Sequence, residues 1–509
     1  MGLHDFTVYS IIKRNATVRR DEVGWVCGDG KLTHHQYKLK VDHLANRLGA
    51  LGLTKGDRLA VVAKNSLEYM LLYGAAAKTA AIMAPINWRL SADEIAYQIS
   101  DSRPKFLFVE SEFIPQVGPA VKTPEIKGCW SLDQARDEIP SIDDLFSEQA
   151  PALEEKAAAE DPLVILYTAA VDVRPRGAVL THQGVLAANF QYAWFWRLGP
   201  QDVHLAVLPL FHIMSLGLSL AAMQAGGTNV IIPKFDPDAV LKHIKEDKVT
   251  YFIEFPPILE TLLNAAEKTG SDLSSLRIVG GLNSPEVVRR FESMTKAIYW
   301  TAFGQSETSG LVAMGPYFER PGSAGRVGFL SEVEIADEYG RLVPPGRPGE
   351  IVVRGPQVFK GYWGLPQETE YTFRDGWHHT GDLGRLDQDG YLFYLGRTPQ
   401  KELIKPGGEN VYPAEVERAI LEHPQITAAA VIGVPDAQWG EAVKAVCVPS
   451  PGASLTEAEL VEFVAARIAR FKKPKYVQFV PELPKTAAGQ TDRAAVKSLY
   501  GSADRPAKN

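Results

Sequence analysis

Cysteine is scarce in this sequence, and its scarcity excludes two kinds of architecture. Only three cysteines occur among 509 residues, Cys27, Cys129 and Cys447, and they are far apart. Their spacing matches neither a disulfide framework nor a cysteine-based metal site. No apolar run approaches the roughly 18 residues of a membrane-spanning helix, and the first residues lack the pattern of a secretion signal. We therefore expect a cytoplasmic protein with no transmembrane segment.

An excess of positive charge is also missing. Lysine and arginine number 54 against 61 aspartates and glutamates, which gives a net charge of -7. Such a chain is a poor candidate for binding nucleic acid or an anionic membrane, because both attract basic surfaces. No internal repeat is visible, and 45% hydrophobic and 23% charged residues are ordinary for globular proteins. This length predicts about three structural units.

Extended and helical patterns alternate along most of the chain. A buried strand pattern precedes Ser66, which can cap a helix, and Ser91 to Glu94 have the form of a capping box. A second alternating run starts near Leu163. Strands separated by helices at this spacing predict an α/β fold, with parallel sheets covered by helices on both faces. Short strands and turns rich in proline and glycine between Gly325 and Tyr362 predict a small β-barrel.

The stretch from Asp375 to Glu417 is dense in glycine and polar residues. It reads DGWHHTGDLGRLDQDGYLFYLGRTPQKELIKPGGENVYPAEVE. Alternation around Asp389 and Gly390 predicts a β-hairpin, and the region after it is a compact α+β pattern that includes a helix over residues 455–471. This stretch resembles the adenylate-forming, or acyl-CoA synthetase, superfamily, whose TGD, DGY, GR and GGENVYPAEVE motifs it matches in order.

The resemblance extends from about residue 30 to about residue 495. It implies a large N-terminal domain, residues 1–397, with two α/β sheets and a β-barrel that bind the acyl group and the nucleotide. It also implies a small mobile α+β lid, residues 398–509, that rotates between an acid-adenylating pose and a thiol-accepting pose. The implied activity is that of an AMP-forming ligase, which activates a fatty or related carboxylic acid with Mg²⁺-ATP and transfers it to CoA. Family habit also suggests a homodimer.

The FGQSET segment resembles the family motif that contacts the adenine and the phosphates. In that motif the aromatic residue, here Phe303, packs near adenine, and the hydroxyl residue, here Ser306, lies beside phosphate. Glu307 matches the glutamate that helps to hold Mg²⁺, and Gly304 and Gln305 complete the nucleotide contacts. Apart from the resemblance, the segment reads only as a polar loop after a strand.

Four more residues match nucleotide-binding positions of the family. Gly280 and Gly281 end another strand and match the glycines that flank adenine, where bare backbone leaves room for a flat base. Asp382 matches the aspartate that accepts both ribose hydroxyls, a role suited to a carboxylate with two acceptor oxygens. Arg397 matches its partner at the domain junction.

The phosphate-binding loop departs from the family pattern. The family reads YTSGTTGxPKG, whereas this chain reads YTAAVDVRPRG from residue 167. Val173 replaces a glycine and resists a positive φ, and Asp172 would repel a triphosphate. The residues left to contact the phosphates are Thr168, Arg174 and Arg176, of which Arg176 replaces the family lysine.

A second departure lies near the C-terminus, where the segment PKTAAGQTDR stands in for PKTxxGKxxR. Gln490 replaces the lysine that reaches the carboxylate and the α-phosphate during adenylation. Losing that cation is expected to remove about 2.7–4 kcal/mol of electrostatic stabilisation, and Lys485 is a cation near it in sequence. The loop from Thr398 to Pro406 is also longer than usual, so the hinge is assigned to Lys401 or Glu402.

These departures leave three interpretations. The chain is a ligase that has rebuilt its phosphate grip with Arg174 and Arg176, a thioester-processing relative without ordinary adenylation, or a silent nucleotide or acyl-CoA binding protein. The ligase is favoured, because Glu307, Asp382 and Arg397 would have little to do without a nucleotide. Catalysis would then depend on positioning and on electrostatic stabilisation by the arginines and the metal.

The acyl site is predicted from fewer signals. Phe211 and His212 resemble the segment that gates the acid tunnel, although the histidine could also be a core or capping residue. Glu254 follows an apolar strand where relatives carry an apolar residue, and a buried carboxylate must be paired or protonated. It either faces the acyl site and selects a polar acid or caps the next helix from the surface. The aromatic residues 194–196 either line a pocket or belong to the core.

CoA is expected to enter between the two domains. Gly407, Gly408 and Glu409 are the candidates for lining the tunnel of its thiol arm, since glycine lets a narrow chain pass the backbone. The lysines that could meet the CoA phosphates, or simply be solvated, are Lys405, Lys444, Lys472 and Lys473.

Overall fold

The structure is a computed structural model that describes residues 3–118, 123–168, 174–398, 403–485 and 491–502. Its α-helices are α1 (Val8–Val18), α2 (His34–Ala50), α3 (Leu67–Thr79), α4 (Ala92–Ser102), α5 (Ile114–Val117), α6 (Asp144–Ser147), α7 (His182–Trp196), α8 (Ile213–Ala225), α9 (Pro237–Glu246), α10 (Ile258–Thr269), α11 (Pro285–Met294), α12 (Pro366–Thr372), α13 (Pro413–Leu421), α14 (Glu457–Ala465) and α15 (Arg493–Tyr500). Its β-strands are β1 (Val23–Cys27), β2 (Gly30–Thr33), β3 (Arg58–Val62), β4 (Ile82–Ile86), β5 (Phe106–Val109), β6 (Gly128–Ser131), β7 (Pro162–Thr168), β8 (Arg176–Thr181), β9 (Val203–Ala206), β10 (Thr228–Ile231), β11 (Tyr251–Glu254), β12 (Ile278–Gly281), β13 (Ile298–Phe303), β14 (Ala313–Pro316), β15 (Arg326–Val327), β16 (Glu332–Ala336), β17 (Gly349–Arg354), β18 (Phe373–Arg374), β19 (Trp377–Leu386), β20 (Leu392–Arg397), β21 (Ile426–Asp436), β22 (Gly440–Pro449) and β23 (Tyr476–Phe479). None of the helices in these ranges is long and apolar enough to cross a lipid bilayer.

A six-stranded sheet has the strand order β6-β5-β3-β4-β7-β8. Its strands are parallel except for the β7–β8 pair, which is an antiparallel hairpin. The predicted capping box is confirmed, because Ser91 accepts the backbone amide of Glu94 and the Glu94 side chain accepts that of Ser91. Ser66 caps α3 in the same way, with its hydroxyl accepting the Tyr69 amide. Local sequence therefore sets where these helices start.

A nine-stranded sheet has the order β15-β14-β13-β12-β11-β9-β10-β1-β2. Its central strands β9 to β13 are parallel, as predicted, and the antiparallel strands β14, β15 and β2 lie toward its edges. In an open parallel sheet, ligands bind beyond the carboxyl ends of the strands. Glu254, Gly281 and Phe303 end β11, β12 and β13, so three predicted site residues meet at this edge.

The segment predicted to form a β-barrel contributes to an antiparallel sheet. Its order is β16-β17-β19-β18, with β20 paired to β19. The hairpin predicted around Asp389 and Gly390 is confirmed, since β19 and β20 pair antiparallel across that turn. No closed barrel is found among the described strands.

The C-terminal unit is a three-stranded sheet, β21-β22-β23, with α13 and α14 contributing to its core. The helix predicted over residues 455–471 is wrong in length, because α14 ends at Ala465. Beyond it the chain turns so that Ala469, which is 3% exposed, packs into the core cluster of the six-stranded sheet. This tertiary contact overrides the local helical preference.

Candidate functional site

A cavity of about 1170 Å³ lies between the large N-terminal part of the chain and the C-terminal unit. It is a suitable place for a small-molecule site, because ligand pockets favour the boundaries between domains. The predicted residues that line it are Thr168, His212, Gly281, Phe303, Gly304, Gln305, Ser306, Glu307, Asp382, Arg397, Lys405, Gly407, Gly408, Glu409 and Lys473. The fold thus brings residues more than 200 positions apart in sequence to one cavity.

Asp382 and Arg397 lie opposite each other on the β19–β20 hairpin. The Asp382 carboxylate is 5% exposed and accepts a hydrogen bond from Gln305 Nε2, which also donates to the Thr380 carbonyl at 3.0 Å. Arg397 Nε lies 3.8 Å from Asp382 Oδ1. These contacts orient the carboxylate at the cavity wall, where its two oxygens suit a pair of vicinal hydroxyls.

Gly281 and Phe303 border a narrow part of the cavity. Gly281 has a φ of 153°, and a Cβ there would lie 2.1 Å from the Glu254 carbonyl oxygen, so no side chain fits. The Phe303 ring stacks on Tyr394 with 6.0 Å between the ring centres. Bare backbone beside an aromatic ring suits a flat base. Gly280 packs instead against the Trp196 ring, so of the two predicted glycines only Gly281 lines the cavity.

Glu307 is buried at 7% exposure and is held by two hydroxyl groups. Its Oε1 accepts hydrogen bonds from Thr168 Oγ1 at 3.2 Å and from Tyr362 Oη at 3.0 Å. Burial and the neighbouring carboxylate raise the pKa of Tyr362 far above its ordinary value, so the phenol stays a donor. The described residues contain no cluster of three metal-ligating side chains. Glu307 nevertheless fits Mg²⁺, which commonly takes one or two carboxylates and fills its shell with phosphate oxygens.

The two arginines of the altered phosphate loop are in different places. Arg176 lies opposite Thr168 in the β7–β8 hairpin, and its guanidinium carbon is 5.7 Å from the centre of the Tyr362 ring. Arg176 and Glu307 thus share Tyr362 as a neighbour, although Arg176 is not among the residues that line the cavity. Arg174 is exposed and stacks on Tyr97 of α4 at 5.2 Å. Residues 169–173, which contain the replaced glycines, lie outside the described residues, as do the hinge candidates at 401 and 402.

Glu409 crosses from the C-terminal unit into the N-terminal part of the cavity. It forms an ion pair with Arg89, accepts a hydrogen bond from Asn87 Nδ2 at 3.2 Å and lies 3.5 Å from His212 Nε2. Burial raises the pKa of Glu409, but the neighbouring His212 and Arg89 outweigh this effect and lower the pKa to about 2. Asn87 and Arg89 were not predicted from the sequence, although their position just after the buried strand β4 was a signal.

Gly407 and Gly408 are squeezed between two aromatic rings. Both have positive φ values, of 56° and 87°. A Cβ would lie 2.8 Å from the Trp439 ring at Gly407 and 2.9 Å from the Phe255 ring at Gly408. The rings occupy the space that a side chain would take, so both positions require glycine, and the role of the loop in a thiol tunnel stays a prediction.

The four lysines proposed for the CoA phosphates divide into two pairs. Lys405 and Lys473 line the cavity. Lys444 is 3% exposed and donates to the Ser502 carbonyl at 2.9 Å, and Lys472 is 5% exposed and pairs with two carboxylates. For these two, the prediction of a solvated surface charge is wrong, because each is held by acceptors inside the protein.

Glu254 is completely buried, which rules out capping from the surface. Its carboxylate accepts hydrogen bonds from Tyr299 Oη at 2.6 Å, Asn283 Nδ2 at 3.0 Å and the backbone amide of Leu259 at 3.3 Å. The last bond does cap the start of α10. Asn283 lines the cavity and Glu254 lies behind it, so the carboxylate reaches the cavity only through that amide. Burial raises the pKa of Glu254 to about 7, although the three donors lower it.

We expect Glu254→Gln to change how stability depends on pH. Between pH 4.5, the ordinary pKa of a glutamate, and about pH 7, the pKa of Glu254 in the folded protein, the folded protein binds more protons than the unfolded chain. The free energy of unfolding therefore falls as pH rises through this range. The variant lacks this fall, and its stability relative to the parent should increase by about 3 kcal/mol between pH 4.5 and pH 8. Urea denaturation at several pH values measures this. Glu260→Gln, an exposed glutamate of α10, is the control, and an equal pH dependence in both variants would contradict the prediction.

The remaining candidates do not line the described part of the cavity. Phe211 is buried at 7% exposure and packs against the His212 ring at 4.5 Å. Of the three aromatic residues 194–196, Trp194 is 66% exposed and Trp196 belongs to the core. Lys485 is exposed and pairs with Thr491 in an isolated bridge. Gln490 lies outside the described residues.

Comparison with known proteins shows the family of this chain. Residues 12–363 match the family model described as AMP-binding enzyme, and residues 415–490 match the AMP-binding enzyme C-terminal domain. The chain belongs to the AMP-binding enzyme family, which places it in the adenylate-forming superfamily. Its fold, a large N-terminal α/β domain and a small C-terminal domain, is that of adenylate-forming enzymes.

Individual relatives are similar over almost their whole length. A feruloyl-CoA synthase of Amycolatopsis sp is 34% identical over 93% of this chain and 95% of the relative. An indoleacetate–CoA ligase of Aromatoleum aromaticum is 35% identical over 92% and 93%. The solved o-succinylbenzoate CoA synthetase of Bacillus subtilis matches with a TM-score of 0.84 and 26% identity, covering 99% of this chain and all of that one. These relatives support an acid–thiol ligase and give no support to a thioester-processing enzyme.

Proposed function

We propose that this protein is an AMP-forming ligase that joins a carboxylic acid to the thiol of CoA. One observation carries the proposal: Asp382 and Glu307, which suit a nucleotide and its phosphates, line the same cavity as the Gly407–Glu409 loop, which suits a thiol arm. In the first half-reaction a carboxylate oxygen attacks the α-phosphorus of ATP and pyrophosphate leaves. In the second the CoA sulfur attacks the acyl carbon, AMP leaves, and the thiol proton passes to solvent.

The described side chains divide this work between binding and charge stabilisation. Asp382 accepts the ribose hydroxyls, and Phe303 and Gly281 hold the adenine. Arg176, next to Tyr362 and Glu307, meets the charge that develops on the departing pyrophosphate. Mg²⁺ held by Glu307 would neutralise phosphate charge when bound. Positioning the acid and the nucleotide in one cavity lowers the barrier further, because the reaction becomes effectively unimolecular.

As part of this proposal, we assign the lid to the pose of the thiol half-reaction. Glu409 is bound to Arg89 inside the cavity, while Lys485 is exposed outside it. Adenylation would require the lid to rotate, which exchanges the Gly407–Glu409 loop for the segment that contains Lys485 and Gln490. In this proposal Arg176 makes up for part of the charge that Gln490 lacks. The domain boundary at residue 397, the cytoplasmic location and the homodimer stay predictions.

Pyrophosphate exchange into ATP tests the proposal. We expect exchange that depends on a carboxylic acid, and acyl-CoA and AMP in equal amounts once CoA is added. Asp382→Ala should reduce both reactions, whereas Asp389→Ala, at the exposed turn of the same hairpin, should leave them within about twofold if surface substitutions act as they usually do. If AMP or CoA binds while a broad panel of acids supports no exchange, the proposal is wrong.

A further inference from the structure

Gln305 connects Asp382 to a buried histidine on the same strand, β19. Its Nε2 donates to the Asp382 carboxylate and, at 3.0 Å, to the Thr380 carbonyl. Two acceptors therefore surround the nitrogen end of the amide. The oxygen end, Oε1, lies 3.4 Å from Nε2 of His378, which is only 3% exposed. Because an amide oxygen only accepts hydrogen bonds, His378 Nε2 carries a proton and donates to it.

The neighbours of His378 hold its ring in one orientation. Thr372 Oγ1, at the end of α12, lies 3.1 Å from Nδ1, the ring nitrogen that does not face Gln305. The rings of Phe359 and Phe373 pack against the imidazole, with 5.3 and 6.0 Å between ring centres. A polar contact at Nδ1 and aromatic contacts around the ring leave it little freedom to turn, and a side chain locked in this way can orient the group that it contacts.

The hydrogen bond from His378 affects where the Gln305 amide points. While the amide oxygen faces His378, the amide nitrogen faces the carboxylate of Asp382 at the cavity wall. The Gln305 side chain is only partly buried. Without the histidine donor, its oxygen would turn toward solvent to find another donor, and the nitrogen would move away from the carboxylate with it.

We infer that His378 is a positioning residue for the ribose of the nucleotide. Through the Gln305 amide, it fixes the Asp382 carboxylate in the direction that meets the ribose hydroxyls. The inference rests on the proposed ligase function, which gives Asp382 its role. It assigns a function to a buried histidine that touches neither the cavity nor the reacting atoms, and it predicts an effect on how the site distinguishes ribose from deoxyribose.

Pyrophosphate exchange into ATP and into 2′-deoxy-ATP tests this inference. The parent enzyme should prefer ATP, because a site built to bond a hydroxyl discriminates against the analogue that lacks it. His378→Phe keeps a ring but removes the donor. It should raise KM for ATP and lower the preference for ATP by about two- to tenfold, the scale of one hydrogen bond, while kcat changes less. His378→Gln, which retains an N–H donor, should recover most of the preference.

His204→Phe is the matched control. His204 is 1% exposed and also contacts a side-chain amide, with 2.9 Å between its Nδ1 and Asn229 Oδ1, but that amide donates to the Ser219 carbonyl. Both substitutions should lower stability in urea, but only His378→Phe should change the preference for ATP. If His378→Phe does not fold, Thr372→Val decides in its place, since it removes the contact at Nδ1 and should lower the preference in the same direction.

The possible outcomes separate this inference from the proposed function. An unchanged preference in His378→Phe, or an equal change in His204→Phe, would overturn the inference while acid-dependent exchange upholds the ligase. Absence of exchange with every acid would overturn the proposed function. Calorimetric titration with AMP and 2′-deoxy-AMP then decides on His378, because His378→Phe should narrow the difference between the two Kd values by the same factor. Equal Kd ratios in parent and variant would overturn the inference as well.

Discussion

Lys472→Met is expected to lower the free energy of unfolding by about 3–5 kcal/mol, because it leaves two largely buried carboxylates without their cation. Lys472 is 5% exposed, and its ammonium group pairs with Glu415 at 2.7 Å and with Glu94 of α4. Burial raises the pKa of Glu94, but Lys472 outweighs this effect and the pKa is lowered overall. For Glu415 burial is the larger effect, and the pKa is raised. The lysine thus joins the lid to the N-terminal part of the chain. Denaturant unfolding of the purified protein measures the loss.

Lys242→Met is the matched control for this effect. Lys242 also lies between two carboxylates, Asp29 at 3.7 Å and Glu246 at 4.0 Å, but all three groups are largely exposed. Exposed pairs contribute about 0–1 kcal/mol, so the control should be nearly neutral. Glu94→Gln, which keeps the Lys472–Glu415 pair, should destabilise less and increase proteolysis between the two domains. Equal losses for Lys472→Met and Lys242→Met would show that the buried pairing does not stabilise the protein.

Glu307→Gln is expected to slow the adenylation half-reaction by about 10²–10³-fold, the scale observed when one electrostatic contact to a developing charge is removed. The amide oxygen of glutamine can still accept the hydrogen bonds from Thr168 and Tyr362, so the fold around the site should survive. The amide lacks the negative charge that attracts Mg²⁺. Pyrophosphate exchange, followed as a function of Mg²⁺ concentration, should show both a lower rate and a higher metal requirement.

Glu332→Gln controls for loss of a glutamate from the same domain. Glu332 is 62% exposed and pairs with Arg354 on the surface, far from any role in the reaction. Exchange by this variant should match that of the parent enzyme. If Glu307→Gln exchanged at the parental rate with an unchanged Mg²⁺ requirement, Glu307 would not be the residue that holds the metal.

Local rules predicted much of the secondary structure. The box of Ser91 and Glu94 starts α4, and the turn at Asp389 and Gly390 joins β19 to β20, because each feature depends on residues within a few positions of one another. The helix expected over residues 455–471 failed for the opposite reason. Its second half is decided by burial of Ala469 against the six-stranded sheet, a contact that no local pattern contains.

The site shows the same division. Sequence motifs identified Glu307, Asp382 and the Gly407–Glu409 loop, because a resemblance can be read residue by residue. They did not identify Tyr362, Arg89 or the partners of Lys472, which become neighbours only when distant elements pack together.

By itself, then, the amino-acid sequence determined the class of fold, the order of the motifs and the family to which the chain belongs, since these depend on residue type and spacing. Only the tertiary structure decided that Glu254 is a buried group behind Asn283 and that Lys472 joins the domains. Burial and pairing are properties of the packed molecule, and a charge or a hydroxyl acquires its role from the groups that surround it.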